Sequence, residues 1–452
     1  MTLTNPTWLF WLLLGWLAAL LGAGHGTPAG NGVGLDLEVD QGDDDDDDDD
    51  DDDHDDHDHD HDHDHDHDHD HDDGVAVPVA EAGPCEFDSW GAISNPENAI
   101  HVRESGDDGS GDGSIDAPYA TIERAQEDAR DLVPSKRAIA VGPGSFPTNV
   151  VFDDADDDGT VVQGCGRTET FLLAADDSQP IVDLASDGDM GIAGMTLDGG
   201  TNAFTVREGA TGWAQYVNVN HSSENGIRVL GADTLAVLSD VGVDTPHEGA
   251  GCGWGISVDE SSLIMSASEV KGATGAGIVV NEGEAWLSNV FVENTAPGAN
   301  AELGRGVQAQ DSWVVVENST FVDNADASIF MLNPTGGVIS SIVINHTDAG
   351  IVAGGVNTGD GIVVMGRAVA GGSPVIVRNS HLLDSSRAAM VLEDSDVFLR
   401  GNFASGTGLF PLHGAHVFSQ GGFAQVAGPQ AGLVLDVTAS PLDIERGYLT
   451  CP

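Results

Sequence analysis

The densest metal-ligating chemistry in the sequence is a tract of aspartate and histidine at positions 43–73. The tract opens with the unbroken run Asp43 to Asp53 and then alternates the two residue types. Its histidines are His54, His57, His59, His61, His63, His65, His67, His69 and His71. Neutral imidazole is a preferred ligand of Zn, Ni and Cu, and carboxylates add charge and oxygen ligands. We therefore expect a disordered segment that captures divalent metal ions, with a self-repelling spacer as the alternative interpretation.

A second group of carboxylates lies in the acidic loop 153–159, with the sequence DDADDDG. Asp154, Asp156 and Asp158, followed by Gly159, match the first half of a D-x-D-x-D-G calcium loop. The glutamate that ends such a loop is absent, because Cys165 occupies the twelfth position. The pattern predicts a Ca²⁺ site that other carboxylates complete, and an acidic turn without a ligand is the alternative.

Acid–base chemistry is concentrated in the segment VDTPHEG, where Asp244 precedes His247 by three residues. Lys271 and Arg228 are the nearest basic residues by repeat position. A base with cationic support could abstract a proton next to a carboxylate and stabilise the resulting anion. The segment resembles the DPH motif of alginate C5-epimerases, although Thr245 interrupts it. The resemblance implies catalytic roles for Asp244 and His247, and Lys271 would supply the cation.

These residues need a framework that brings distant segments together, and a repeat in the sequence supplies one. Pairs of a small and a hydrophobic residue recur at Gly226-Ile227, Gly255-Ile256, Gly277-Ile278, Gly306-Val307, Ser328-Ile329 and Gly350-Ile351. Their spacings are 29, 22, 29, 22 and 22 residues, and a period of 22 fits one coil of a β-solenoid. The long spacings hold loops 244–253 and 295–304, which should flank a groove on one edge. A third insertion, 352–373, should emerge elsewhere.

Two other residue types recur within the coils, and each has two interpretations. The asparagines at comparable turns are either stacked from coil to coil or ordinary turn residues; they are Asn218, Asn289, Asn318 and Asn379. The tryptophans either pack in the core or, if exposed, stack on sugars; they are Trp213, Trp254, Trp286 and Trp313.

The start of the repetitive region combines a helix with short apolar strands. Apolar residues on one face predict a helix over Thr121–Leu132, and strands follow within RAIAVGPGSF and GTVVQGCGRTETFLL. The order GDDGSGDGSIDAPYATIERA, RAIAVGPGSF and GTVVQGCGRTET resembles the opening of secreted bacterial right-handed parallel β-helix proteins, the pectate-lyase-like superfamily. This resemblance implies an all-β right-handed parallel β-helix solenoid with an N-terminal cap helix.

The composition is strongly acidic, with 15 Lys+Arg against 76 Asp+Glu and a formal charge of −61. Nucleic acid is excluded as a partner, because a polyanion would be repelled and no basic patch exists. Divalent cations are the natural partners of such a chain.

An apolar run of 14 residues at 8–21 suits a signal peptide and is short for a membrane span. We therefore expect a signal peptide at 1–26, a disordered linker at 27–91 and the β-helix at 92–452. An uncleaved anchor is the alternative to a cleaved signal. The mature chain should be secreted or displayed at the cell surface, with no transmembrane domain.

The four cysteines are Cys85, Cys165, Cys252 and Cys451, and an exported chain can form disulfides from them. Three pairings are open, although Cys85 and Cys451 would lie far apart in a long solenoid.

Three hypotheses of function follow. The leading one is an exported, non-enzymatic β-helix that binds divalent cations through the Asp/His tract and also a glycan or surface partner. The second is a calcium-assisted polysaccharide lyase or uronate epimerase, which the scarcity of basic residues disfavours. The third is metal scavenging or storage, with the β-helix as the carrier.

Overall fold

The computed structural model describes Cys85 and residues 99–133, 137–244, 253–298, 304–348, 359–366 and 372–405, together with the backbone of strands 415–420, 423–427 and 433–436. The chain divides into two units, Met1–Val77 and Pro78–Pro452, and all of the described residues belong to the second. None of the helices among them is long and apolar enough to cross a membrane. The predicted signal peptide and the Asp/His tract lie outside the described residues.

The predicted cap helix is confirmed as α1 (Ile122–Arg130). Thr121 caps its first turn, because its Oγ1 accepts a hydrogen bond from the backbone N–H of Arg124 at 3.3 Å. The apolar face is buried and consists of Ile122, Ala125 and Ala129. Gln126 donates a side-chain hydrogen bond of 2.8 Å to the carbonyl oxygen of Val151. The helix therefore lies over the first coil of the sheet structure that follows.

Parallel strands, numbered in chain order, form two sheets of 21 and 12 strands. Sheet B contains β4 (Val150–Phe152), β7 (Val182–Leu184), β9 (Asn202–Arg207), β11 (Asn225–Leu230), β13 (Trp254–Asp259), β16 (Ala276–Asn281), β19 (Arg305–Gln310), β22 (Ala327–Leu332), β25 (Asp360–Met365), β28 (Ala388–Glu393), β31 (Ala415–Gln420) and β33 (Leu433–Asp436).

Sheet A bends into two legs. The first leg contains β1 (Ile100–Val102), β2 (Ala138–Val141), β5 (Val161–Gln163), β14 (Ser262–Ser266), β17 (Glu284–Ser288), β20 (Trp313–Glu317), β23 (Gly336–Ser340), β26 (Val375–Arg378), β29 (Asp396–Arg400) and β32 (Phe423–Ala427). The second leg contains β3 (Gly144–Thr148), β6 (Thr170–Ala174), β15 (Glu269–Lys271), β18 (Phe291–Glu293), β21 (Thr320–Asn324), β24 (Val343–Thr347), β27 (His381–Ser385) and β30 (Phe403–Ser405). Three long strands run through both legs: β8 (Asp189–Asp198), β10 (Thr211–Asn220) and β12 (Leu235–Asp244).

Each coil passes through the first leg, the second leg and sheet B, and alternating residues face the interior. In β20, Val314 and Val316 are buried, whereas Trp313, Val315 and Glu317 face outward and are partly exposed. This period of two follows from the pleat of a strand. Each fully buried aliphatic side chain contributes roughly 1.5–3 kcal/mol, so the interior column is the main source of stability.

The register confirms five of the six predicted repeat marks. Ile227, Ile256, Ile278, Val307 and Ile329 are successive cross-strand partners in sheet B. The sixth mark, Gly350-Ile351, is wrong, because Ile329 pairs with Ile362, which lies 33 residues further on. A second Gly-Ile pair at 361–362 therefore starts the strand.

The predicted insertion at 352–373 has the wrong bounds, since β25 (Asp360–Met365) lies inside it. Only its last part, 366–373, lies elsewhere, in the connection from β25 to β26. The extra residues of that coil fall between the end of β24 at Thr347 and the start of β25. They occupy the same position in the coil as the two predicted loops.

The corner between the two legs of sheet A is a column of left-handed residues. Asn289, Asn318 and Asn379 have φ values of 54°, 51° and 51°. Their backbone N–H groups donate to carbonyl oxygens of the next coil at 2.9–3.1 Å. Asn289 and Asn318 are in adjacent coils, whereas Ser341, with φ 55°, lies between Asn318 and Asn379. Asn218 is not in this column, because Tyr216, with φ 53°, turns the corner of its coil. Asparagine suits the corner because it tolerates the left-handed conformation better than most residues.

One disulfide joins Cys85 to Cys165, across 80 residues of sequence. Of the three pairings left open by the sequence, this bond is compatible only with the one that also joins Cys252 to Cys451. Those two cysteines lie outside the described residues. The disulfide ties the segment before α1 to the turn between β5 and β6.

Candidate functional site

The edge where the second leg of sheet A passes into sheet B carries the long connections, and we call it the loop edge. Its long connections run from Asp244 to Trp254, from Glu293 to Arg305 and from Thr347 to Asp360. The first two are the predicted loops, and the third was not predicted at this edge. Because successive coils stack about 4.8 Å apart, the described ends of the three connections lie along one side of the solenoid, beside sheet B.

Asp244 and Lys271 are brought together, because they are direct cross-strand partners on β12 and β15. Lys271 Nζ lies 3.1 Å from Glu269 and 3.3 Å from Glu293. The hydrogen bond from Lys271 to Glu269, with support from Glu293, raises the pKa of the lysine. Lys271 is therefore held protonated, which removes it as a base, and two carboxylates offset its charge. His247 lies outside the described residues, so its predicted role stays a prediction.

The cationic side chain of sheet B that could bind an anionic ligand is Arg228. Its side chain is on the outer face of β11, partly exposed, between Thr205 on β9 and Ser257 on β13. Within the part of the chain that the structure describes, Arg228 has neither an ion pair nor a hydrogen bond. The Thr205 hydroxyl is buried and also has no hydrogen-bond partner there. A guanidinium flanked by two hydroxyls can bind a carboxylate or sulfate, since it offers several charge-assisted donors.

A second arginine on this face, Arg207, is already neutralised by carboxylates. Arg207 Nε lies 3.0 Å from Asp183, which faces outward two coils before Arg228. The hydrogen bond from Arg207 to Asp183 raises the pKa of the arginine, with a further contribution from Glu208. A ligand anion would therefore compete with two carboxylates at Arg207 but with none among the described residues at Arg228.

Two more polar groups lie where sheet B begins at the loop edge. Asn225 and Trp254 are cross-strand partners and are 5% and 6% exposed. The Asn225 Oδ1 atom and the Trp254 indole N–H lack hydrogen-bond partners among the described residues. Buried polar groups normally find partners, so these two atoms are further candidates for ligand contacts.

Four charged residues form a buried column beneath the loop edge, which we call the buried charge column. It comprises Arg305, Asp326, Asp360 and Arg387, on four successive coils. Arg305 Nε donates to Asp326 at 2.7 Å, and Arg387 Nε donates to Asp360 at 2.8 Å. The column is electrically neutral and anchors the start of β19 and β25. Sequence reasoning missed it, because its members are 21 to 34 residues apart in sequence.

The acidic loop 153–159 is a capped turn. Asp154 caps a 3₁₀ turn, Ala155–Asp157, and its side chain accepts a hydrogen bond from the N–H of Asp156. The buried residue is Asp157, which the calcium pattern passes over, and it accepts hydrogen bonds from Arg130 and Gln126 of α1. Asp158 Oδ1 accepts from the N–H of Asp189. The loop thus joins the cap helix to the solenoid.

No group of three His, Cys, Asp or Glu side chains within the described residues is arranged to hold a metal ion. The Ca²⁺ site at Asp154, Asp156 and Asp158 stays a prediction. Metal capture by His54, His57, His59, His61, His63, His65, His67, His69 and His71 also stays a prediction, because these residues lie outside the described part of the chain.

The four tryptophans differ in burial, which was the basis of the two interpretations, core packing and exposure to a sugar. Trp254 is buried, whereas Trp213, Trp286 and Trp313 face outward from the first leg of sheet A and are partly exposed.

The fold is a right-handed parallel β-helix, as the opening motifs predicted. The family model described as "Right handed beta helix region" matches residues 226–404. No curated protein sequence matches the chain.

Several solved structures are similar in architecture. The A-module of a mannuronan C-5 epimerase from Azotobacter vinelandii is 14% identical, covering 71% of this chain and 95% of that module, with a TM-score of 0.43. A GH87 α-1,3-glucanase catalytic unit from Streptomyces thermodiastaticus is 12% identical over 76% of this chain and 70% of that unit, with a TM-score of 0.40. An alginate lyase from Paenibacillus sp. is 14% identical over 70% of this chain and 95% of that enzyme, with a TM-score of 0.33. None of these likenesses bears on what this chain binds.

Thr205 and Ser257 were not singled out from the sequence. A usable signal exists, since each lies one residue after an interior residue of a sheet B strand, as Arg228 does. Aligning the coils by their interior residues would have placed all three side chains in one outward column.

Proposed function

We propose that the chain is an exported β-helix protein that binds an anionic glycan without cleaving or epimerising it. The proposed site is the outer face of sheet B beside the loop edge. The observation that carries this proposal is Arg228, a partly exposed guanidinium without a carboxylate partner among the described residues, in a chain with 76 acidic residues. A carboxylate or sulfate group of a sugar would supply the partner. Thr205 and Ser257, its neighbours across the sheet, would donate hydrogen bonds to the same group.

The non-catalytic part of the proposal rests on the state of the candidate residues. Proton abstraction next to a carboxylate needs a base near its operating pKa and an uncompensated cation or metal. Lys271 fits neither role, because Glu269 and Glu293 hold it charged and offset that charge. The rival hypothesis, a calcium-assisted lyase or epimerase, would have to rely on Asp244, His247 and a bound Ca²⁺.

Calorimetric titration with short uronate oligosaccharides, from alginate and from pectin, tests the binding. We expect saturable binding that Ca²⁺ strengthens, since the cation offsets repulsion from the acidic chain. Removing the guanidinium with Arg228→Ala should weaken binding about 10- to 100-fold, as loss of a charge-assisted hydrogen bond would. The matched control is Arg400→Ala, because Arg400 is exposed on sheet A and also has no described ion partner. Equal affinity of the Arg228 variant and the wild type would refute the site.

The same samples test the absence of catalysis. A lyase would produce an unsaturated sugar, which absorbs ultraviolet light, and an epimerase would change the proton NMR spectrum of the polymer. Either signal, with or without Ca²⁺, would overturn the non-catalytic proposal.

A second proposed function is capture of divalent metal by the Asp/His tract at 43–73, which its nine histidines support. Titration with Zn²⁺ or Ni²⁺ should show several sites per chain, and deletion of 43–73 should remove them. Binding should fall as the pH drops below about 6.5, because imidazole protonates near that value. Unchanged stoichiometry in the deletion variant would refute the assignment to the tract.

A further inference from the structure

An outward-facing apolar stripe runs along the first leg of sheet A, and the glycan site proposed on sheet B does not involve it. Eight side chains, one from each of eight successive coils, are cross-strand partners in a single row. They are Trp213, Val237, Ile264, Trp286, Val315, Val338, Ile376 and Phe398. All eight are partly exposed. At about 4.8 Å per coil the stripe is about 34 Å long.

The tryptophan rings of this leg lie across neighbouring coils rather than projecting singly. A Cβ atom on Gly191, the partner of Trp213 in the preceding coil, would lie 2.0 Å from Trp213 Cε2. A Cβ atom on Gly336 would likewise lie 2.3 Å from Trp313 Cζ3. The indoles therefore occupy the space above two glycines. At these two positions the rings lie against the sheet.

The first half of the stripe is bordered by hydroxyl groups on one side, and on the other side the exposed Glu284 lies two residues before Trp286 on β17. Ser239, Ser266 and Ser288 form a parallel row of hydroxyls on one side, and they are themselves successive cross-strand partners. Such a surface combines aromatic faces with hydrogen-bonding groups. A soluble protein rarely exposes a continuous apolar surface of this length unless it binds something.

We propose that this stripe binds the ordered surface of an insoluble neutral polysaccharide. Sugar rings present apolar C–H faces that stack on aromatic rings, and their hydroxyls can pair with the serine row. A flat rigid ligand suits a flat rigid face, since neither has to reorganise. Charge favours this occupant, because a second copy of the chain, with a formal charge of −61, or an anionic surface would be repelled. Trp213 and Trp286, about 14 Å apart along the row, are the aromatic anchors of its first half.

A depletion assay on suspended cellulose, chitin and insoluble β-1,3-glucan tests this site. We expect the full chain to be depleted from solution by at least one of the three, to a similar extent at low and high salt. Trp213→Ala and Trp286→Ala should each weaken binding about tenfold, the scale of one lost stacking contact. The control is Phe403→Ala, because Phe403 is 37% exposed on the second leg of sheet A and outside the stripe. Circular dichroism establishes that each variant is folded.

Several outcomes would overturn the proposal. These are no depletion by any of the three solids, unchanged binding in both tryptophan variants, or binding that high salt abolishes. Sedimentation that shows a dimer in the wild type and a monomer in the tryptophan variants would assign the stripe to a second copy instead. The result is separable from the glycan site on sheet B, because Arg228→Ala should leave depletion by the insoluble polysaccharide unchanged.

Discussion

Replacing Asp360 with asparagine should destabilise the β-helix strongly, because it leaves a buried guanidinium without its carboxylate. Asp360 and Arg387 are 1% and 6% exposed, and they meet through two parallel contacts. Water therefore screens the pair very little. Removing one partner of a buried pair costs about 3–5 kcal/mol, since the remaining charge stays desolvated. We expect the Asp360→Asn variant to lose a free energy of unfolding in this range.

Urea unfolding followed by circular dichroism measures the loss. With a slope of about 3 kcal/mol per molar urea, the midpoint should fall by about 1–2 M. Because coils of a solenoid can unfold in part, hydrogen exchange should show the loss concentrated in β25 and β28.

The control for this prediction is an exposed ion pair of the same solenoid. Glu317 and Arg378 are 41% and 46% exposed and lie 3.6 Å apart. The Glu317→Gln variant should change stability by at most about 1 kcal/mol. Replacing both members of the buried pair, with Asp360→Asn and Arg387→Met, should recover much of the loss. A cost of Asp360→Asn no larger than that of Glu317→Gln would refute the reasoning.

Three further predictions concern local features. The hydrogen bond to Asp323 raises the pKa of His346. The contribution of His346 to stability should thus be complete below about pH 6.5 and be lost as pH rises through its folded pKa; an NMR titration midpoint at or below 6.5 would contradict this. Thr121→Ala should cost about 1 kcal/mol in urea unfolding, the usual value of a helix N-cap, and Thr121→Ser should restore it. Peptide mapping without reduction should recover Cys85 joined to Cys165, and a peptide joining Cys165 to another cysteine would contradict the pairing.

Much of the fold could be predicted from the sequence, because its signals are local or periodic. The cap helix depends on contiguous residues, and the spacing of 22 reports the length of one coil. The sixth repeat mark failed because two Gly-Ile pairs, at 350–351 and 361–362, compete and periodicity favours the first. The 22-residue period does not indicate how long each connection at the loop edge is. Only the pairing of Ile329 with Ile362 shows which of the two Gly-Ile pairs starts the strand.

The site was less predictable, because it depends on which side chains have partners. The sequence identified Asp244 and Lys271 as neighbours by repeat position, and the register brings them together. It could not indicate that two glutamates already bind Lys271. Nor could it indicate that Arg228 has no such partner within the described part of the chain. Whether a cationic side chain can bind a ligand depends on the ion pairs it already makes. Those ion pairs are set by strand register and side-chain direction.

The position of α1 over the first coil has a consequence for how chains meet one another. The last strand of any parallel ladder offers unpaired N–H and C=O groups to another strand, and an open end could therefore recruit a second solenoid. Gln126 caps the carbonyl oxygen of Val151, and the pairing of Arg130 with buried Asp157 fastens the helix there. Pairing of another strand with β4 at that end would therefore first require the helix to be detached.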